Sequence, residues 1–178
     1  MAVEPIIDLS PLDLSRREMS RADIARFNPH RGVMAQLDGV VWLASDLTAG
    51  VAVKEVRADE FWCAGHIPGY PIMPGVLMIE AGAQLASLLY YRRSATRCFA
   101  GFVRIEEVVF RGQVVPGDTL FLLCKEIKYS PKRFITSIQG MVRGEVIFEG
   151  VITGMMFPNM GEIRPPGDEA AARPAPTA

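Results

Sequence analysis

The sequence predicts an α+β domain in which a curved antiparallel sheet wraps one buried central helix. Three observations lead there. One segment, residues 76–91, is apolar almost all round and free of proline. Four segments after it are rich in Val, Ile and Phe. Short turn signals separate those four segments. A helix with no polar face is buried on most sides, long strands joined by short turns form an antiparallel sheet, and layering one on the other covers both apolar surfaces.

In chain order, residues 1–27 read as a peripheral helical extension, since Ser20-Arg21-Ala22-Asp23 has capping-box spacing ahead of Ile24 and Phe27. Residues 40–44 are an apolar run of strand length, and residues 50–56 follow as a second strand. A loop rich in Pro and Gly comes next. Pro74 then suits a first helical turn, where a missing N–H costs nothing, and Arg92 and Arg93 lie where cations favour a helix C-terminus. Strands are expected at 99–110, 119–129, 133–142 and 146–157, running as a meander. Pro116-Gly117-Asp118, Ser130-Pro131-Lys132 and Arg143-Gly144-Glu145 mark the turns. The core domain is therefore expected over 28–157, and residues 158–178, rich in Pro, Ala, Gly and charge, as a disordered tail.

Composition narrows the function. In 178 residues, 49% are apolar and the formal net charge is −1, which supports one full core and argues against nucleic acid or an anionic membrane as a general partner. Three cysteines without CxxC spacing argue against a disulfide framework and a zinc site, and suit a reducing compartment. No run approaches the ~20 apolar residues of a membrane span, and the first residues lack the pattern of a secretory signal. The expectation is a soluble, cytoplasmic protein with no metal.

The chemistry concentrates in residues 65–77, Gly-His-Ile-Pro-Gly-Tyr-Pro-Ile-Met-Pro-Gly-Val-Leu, followed by Glu80. The chain has two histidines, and one of them, His66, sits in this stiff loop. The loop leads directly into the apolar helix, whose single acidic residue is Glu80. An imidazole presented by a rigid loop beside a buried carboxyl is a setting for acid/base catalysis. Taken singly, a histidine in such a loop is more often structural, and a lone Glu on an apolar helix often only snorkels to the surface.

Together these residues resemble the bacterial 3-hydroxyacyl-(acyl-carrier-protein) dehydratases of fatty-acid synthesis, which have the hot-dog fold. The resemblance is carried by Gly65-His66, Pro68-Gly69, Pro71, residues 73–77, Glu80-Ala81 and Ala83-Gln84, with Pro29-His30-Arg31, Asp38, Phe110-Arg111, Val114, Pro116-Gly117-Asp118 and Leu120 in flanking support. It covers about residues 28–157. Glu80 stands where the subgroup that also isomerises the double bond carries Asp, so the resemblance is to the dehydratase-only subgroup. Ile67 replaces a usual Phe, Val33-Met34-Ala35-Gln36 replaces a Pro-Phe-Leu-Leu run, and Glu149-Gly150 replaces Glu-Ala. These departures leave acyl chain length and tunnel shape open.

The resemblance implies elimination of water from a (3R)-hydroxyacyl thioester carried by acyl carrier protein. His66 would remove the C2 proton, and Glu80 would protonate or orient the leaving hydroxyl. The backbone amides of Gly75 and Val76 would bind the thioester oxygen at the positive end of the helix. Gln84, one turn beyond Glu80, would hold the carboxyl. For Glu80 to donate, its apolar surroundings are expected to raise its pKa. Ile67, Phe61, Met73 and Phe102 are candidates for an acyl tunnel. Arg97, Arg104, Lys132 and Arg133 are candidates for docking an acidic carrier, although each is as readily a solvated strand residue. No cofactor is expected beyond the carrier's phosphopantetheine arm. The family forms homodimers with His66 from one subunit and Glu80 from the other, and members assemble further into a trimer of dimers. His30 reads as a structural turn residue, and Asp38 and Asp118 as turn or cap residues. The alternatives are a hot-dog thioesterase that uses a carboxylate and has little need of His66, and a non-catalytic acyl-binding paralogue.

Overall fold

The computed structural model describes residues 3–94 and 98–160. Its elements are β1 (Met19–Ser20), α1 (Arg21–Ile24), β2 (Gly39–Leu43), β3 (Ala49–Glu55), α2 (Gly75–Arg93), β4 (Ala100–Phe110), β5 (Thr119–Ser130), β6 (Arg133–Val142) and β7 (Glu145–Met156). All seven strands form one antiparallel sheet in the order β1-β2-β3-β5-β6-β7-β4. The sheet curls around α2, so this is the α+β architecture expected from the sequence.

Leu85, Leu88 and Ala81 of α2 pack into one core with Leu122 of β5, Ile138 of β6 and Phe148 of β7, all with almost no solvent exposure. A helix buried by sheet on most sides needs no polar stripe, which is why α2 is apolar around its circumference. Its last turn carries Arg92 and Arg93. The Arg93 guanidinium pairs with Glu126 and lies 4.0 Å from the centroid of the Tyr129 ring, tying the helix end to β5.

The β6–β7 connection is a two-residue turn. Arg143 and Gly144 both take positive φ, +51° and +83°, between the paired residues Val142 and Glu145. That conformation matches the right-handed twist of the flanking strands, and Gly supplies one of its two positions without steric cost.

The strand path departs from a simple meander. β4 pairs with β7 at the far edge of the sheet, while β5 pairs with β3. The connection 111–118 carries the chain back beneath α2. Val114 is fully buried there, Met73 N–H donates to the Val114 carbonyl, and Gly117 N–H donates to the Val56 carbonyl. Asp118 is more than a turn residue: it accepts from Val115 N–H and pairs with Arg143.

The N-terminal region is helical only at α1, whose capping box is formed by Ser20 and Asp23. Residues before β1 run as an irregular strap over the sheet face turned away from α2. Ile6, Ile7, Leu9, Leu12 and Leu14 cover Val41, Val51, Val53, Leu123 and Met141. Gln139, buried in β6, anchors the strap by accepting from Ile6 N–H and donating to the Glu4 carbonyl. Of the expected tail 158–178, Pro158–Met160 form a 3-10 turn closed by Met160 N–H on the Phe157 carbonyl, and residues 161–178 lie outside the described residues.

Candidate active site

The loop between β3 and α2 is fixed at both ends. At its start, Lys54 is buried at 1% exposure, with its ammonium 2.8 Å from Glu60; a lysine this deep requires such a partner. Cys63 N–H then donates to the Glu60 carbonyl, and both Gly65 and His66 N–H donate to the carbonyl of buried Trp62. At its end, the Met73–Val114 bond and a 3.1 Å hydrogen bond from the Tyr70 hydroxyl to Gln113 hold it against the 111–118 connection.

This framework presents His66 at the surface with its Nδ1 2.9 Å from the Ile72 carbonyl oxygen. A carbonyl only accepts, so Nδ1 carries the proton and Nε2 is left as the basic nitrogen.

Pro74 caps α2, and the Leu77 and Met78 amides turn back to its carbonyl. The Gly75 and Val76 amides belong to the first turn and have no acceptor among the described residues, at the positive end of a 19-residue helix. The Phe110 ring packs directly on Gly75; a Cβ there would lie 2.7 Å from it. Gly at this position lets the aromatic ring and the helix start approach.

Glu80 lies one and a half turns further along α2 and is partly buried. Gln84 Nε2 donates to its Oε1 at 2.7 Å, as the i+4 spacing suggests. A second partner arrives from elsewhere in the chain: His30 Nε2 lies 3.2 Å from the same oxygen. The expectation of a raised pKa is not met in the single chain. Burial is the largest single influence and pushes the Glu80 carboxyl up, but the contacts from His30 and Gln84 outweigh it and hold the group below its ordinary value.

His30 is therefore more than a turn residue. The sequence reading gives it a structural turn role at the strand lead-in and misses its contact with Glu80. The available signal was its rarity, as the second of two histidines in the chain. Asp38 is likewise a junction: it accepts from Glu55 N–H and from both Arg21 and Arg57.

Within one chain, His66 and Glu80 make no contact with each other. The other predicted residues scatter. Met73 is buried in the main core, whereas Ile67 and Phe61 are exposed on the His66 loop and Phe102 is exposed on β4. Phe61 borders a small polar cleft with Lys54, Arg57, Asp59 and Glu60. Arg104 pairs with Glu106 on β4. Lys132 and Arg133 are exposed at the β5–β6 turn. Arg133 is opposite Met155, which is opposite Gly101 at the start of β4, whereas the His66 loop meets the other end of that strand. Arg97 lies outside the described residues.

A mostly apolar cavity of about 420 Å³ opens beside this site, lined by α1, the 28–37 lead-in and Gln84. Among the described residues, no group of His, Cys, Asp or Glu is arranged to hold a metal, and no helix is long and apolar enough to cross a membrane.

Comparison with known proteins gives the family and the fold. The family model described as FabA-like domain matches residues 28–151. A relative from Lawsonia intracellularis, the 3-hydroxyacyl-(acyl-carrier-protein) dehydratase FabZ, is 34% identical over 141 residues, 75% of this chain and 90% of its own. The FabZ of Granulibacter bethesdensis is 32% identical over 139 residues, 76% and 81% of the two chains. Among solved structures, the dehydratase heterocomplex ApeI:P from Xenorhabdus doucetiae shares the hot-dog fold at a TM-score of 0.65 and 16% identity, covering 75% of this chain and 90% of that one.

Proposed function

This chain belongs to the FabA-like family, and from that premise we propose that it dehydrates (3R)-hydroxyacyl-(acyl-carrier-protein) to the trans-2-enoyl thioester in fatty-acid biosynthesis. The observation that carries the reading is the contact between His66 Nδ1 and the Ile72 carbonyl. It leaves Nε2 as a base facing solvent at the mouth of the loop, as abstraction of the C2 proton requires.

The elimination follows from the groups present. Nε2 of His66 takes the C2 proton, and the electron pair left behind forms the C2–C3 double bond as the C3–O bond breaks. The leaving hydroxyl takes a proton from Glu80 and departs as water. Negative charge developing on the thioester oxygen is met by the Gly75 and Val76 amides, which have no acceptor among the described residues; removing one donor from such an arrangement typically raises the barrier by about 2.7–4 kcal/mol. The proton gained by His66 returns to Glu80 through solvent, so the cycle closes without a redox or metal cofactor.

Glu80 and His66 come together in this reading across a homodimer. Among the described residues the sheet ends at β4, an edge without a further strand that exposes Val103, Ile105, Val109 and Phe110. At the adjacent helix start, Val76 is 71% exposed. An apolar edge of that length invites a second copy. A partner laid over Glu80 removes its remaining solvent and pushes its pKa up, the direction an acid needs. Assembly of such dimers into a trimer, a cytoplasmic location and docking of the carrier at Arg104, Lys132 and Arg133 belong to the same reading.

The test is formation of the conjugated enoyl thioester, or its hydration, by wild type, His66→Ala and Glu80→Gln. Activity in the wild type that collapses in both variants at unchanged fold supports the proposal. Release of free thiol without enoyl formation would replace it with a thioesterase, and tight carrier binding without turnover would replace it with a binding protein.

A further inference from the structure

Glu80 is held by a residue outside both the catalytic loop and its own helix. His30 Nε2 and Gln84 Nε2 converge on one oxygen, Oε1, at 3.2 and 2.7 Å, and among the described residues no hydrogen bond is made to Oε2. His30 is itself clamped. Asn28, two residues before it, donates from Nδ2 to the Gln84 carbonyl at 2.7 Å, and Gln36, six residues after it, donates from its backbone N–H to Gln84 Oε1 at 2.9 Å. Gln84 Nε2 also donates to the Met34 carbonyl. The Arg31 guanidinium gathers the Ala25, Asn28 and His30 carbonyls. The lead-in is thus stitched to α2 on both sides of His30, with the imidazole fixed over Glu80.

The other ring nitrogen is informative. His30 Nδ1 and the nearby Asn28 Oδ1 are buried and have no hydrogen-bond partner among the described residues. A histidine kept only for packing would be expected to satisfy both nitrogens or give way to an apolar side chain, since an unpaired buried polar atom is costly. Here the ring is oriented for its Nε2 contact at the expense of Nδ1.

We infer that His30 is a positioning residue for Glu80, using Nε2 to anchor Oε1 so that Oε2 is the oxygen directed to the substrate hydroxyl. This rests on the proposed role of Glu80. Anchoring one carboxylate oxygen with two donors fixes the plane of the group, and a misplaced acid loses rate without losing affinity. His30 does not touch the substrate in this scheme.

The test compares wild type, His30→Leu, His30→Gln, His30→Ala and Glu80→Gln by steady-state kinetics on an enoyl thioester. His30→Leu is expected to lower kcat by about a hundredfold with KM nearly unchanged. His30→Gln, whose Nε2 can reach Oε1, is expected to restore most of the rate, and added imidazole is expected to rescue His30→Ala through the adjacent cavity. The Gln and Ala arms decide the matter even if His30→Leu fails to fold. Active wild type and inactive Glu80→Gln, with His30 variants as fast as wild type or with Gln and Leu equally impaired, would overturn the role of His30 alone. An inactive wild type, or a fully active Glu80→Gln, would overturn the reading of Glu80 on which it rests.

Discussion

His66 Nδ1 and the Ile72 carbonyl oxygen are 2.9 Å apart, within one loop and six residues from each other. The bond selects the tautomer before any substrate arrives, because only the protonated nitrogen can face a carbonyl. His66→Asn can keep that hydrogen bond through its amide while losing the base. Its enoyl-forming activity, followed by absorbance of the conjugated thioester, is expected to fall about 10²–10⁴-fold with an unchanged circular dichroism spectrum. A loss of less than about tenfold, well short of that range, would exclude the imidazole as the base.

Glu80 links stability to pH. Its folded-state pKa lies below the ordinary 4.5 because the His30 and Gln84 contacts outweigh burial. A carboxyl with a lowered pKa stabilises the fold above its ordinary value, and that contribution is lost as pH falls through the folded value. Urea unfolding of the dissociated single subunit, compared with its Glu80→Gln variant between pH 7 and pH 3, should therefore show the advantage of Glu80 shrinking on the acid side. An advantage of the single subunit that grows as pH falls would mean that the His30 and Gln84 contacts do not outweigh burial.

The elements of this fold were legible where the signal is local. An apolar run without proline is a helix wherever it lies, and Arg143-Gly144 between two alternating segments is a hairpin turn. Partner choice was not legible. β4 has the alternation of any strand, and nothing in that alternation says whether β5 or β7 lies beside it; the buried return through Val114 decides it. The site divides the same way. Glu80 and Gln84 are visible as a pair from their i+4 spacing, but His30 comes from far upstream and reverses the expected pKa of Glu80. The N-terminal strap was read as helical from one capping box, which holds only for α1; apolar residues before it are spread to cover a sheet face rather than spaced for a helix.

Phe110 and Gly75 constrain each other. Gly75→Ala places a Cβ 2.7 Å from the Phe110 ring, so the ring or the helix start must move. Overpacking of this kind costs about 1–3 kcal/mol, and, if the Gly75 and Val76 amides bind the thioester oxygen as proposed, their movement lowers turnover as well. Adding Phe110→Ala should relieve the stability loss. A double variant no more stable than Gly75→Ala in urea would show that the contact is not the source of the strain.

The strap over the outer sheet face predicts what its removal exposes. Deleting residues 1–14 uncovers Val41, Val51, Val53, Leu123 and Met141 and leaves Gln139 without its two backbone partners. Stability should fall by about 25 cal/mol for each Å² of apolar surface exposed. The shortened chain should bind a hydrophobic dye and self-associate on light scattering. A truncated chain with the wild-type melting temperature and no dye binding would mean that the strap contributes little to the fold.

The edge strand carries the prediction that separates a composite site from one completed within a single chain. Ile105 is 49% exposed on β4, where no further strand pairs among the described residues. Lysine on an edge opposes strand addition and costs the isolated subunit little, because the position already faces solvent. If two copies join along β4, Ile105→Lys should elute as a folded monomer and lose activity, since neither His66 nor Glu80 then has its counterpart from the second subunit. Mixing inactive His66→Ala with inactive Glu80→Gln should conversely regenerate activity, because a mixed dimer holds one intact pair. A fully active Ile105→Lys monomer, or no recovery from subunits shown to exchange, would place both groups in one chain and require a closing movement of the His66 loop towards α2.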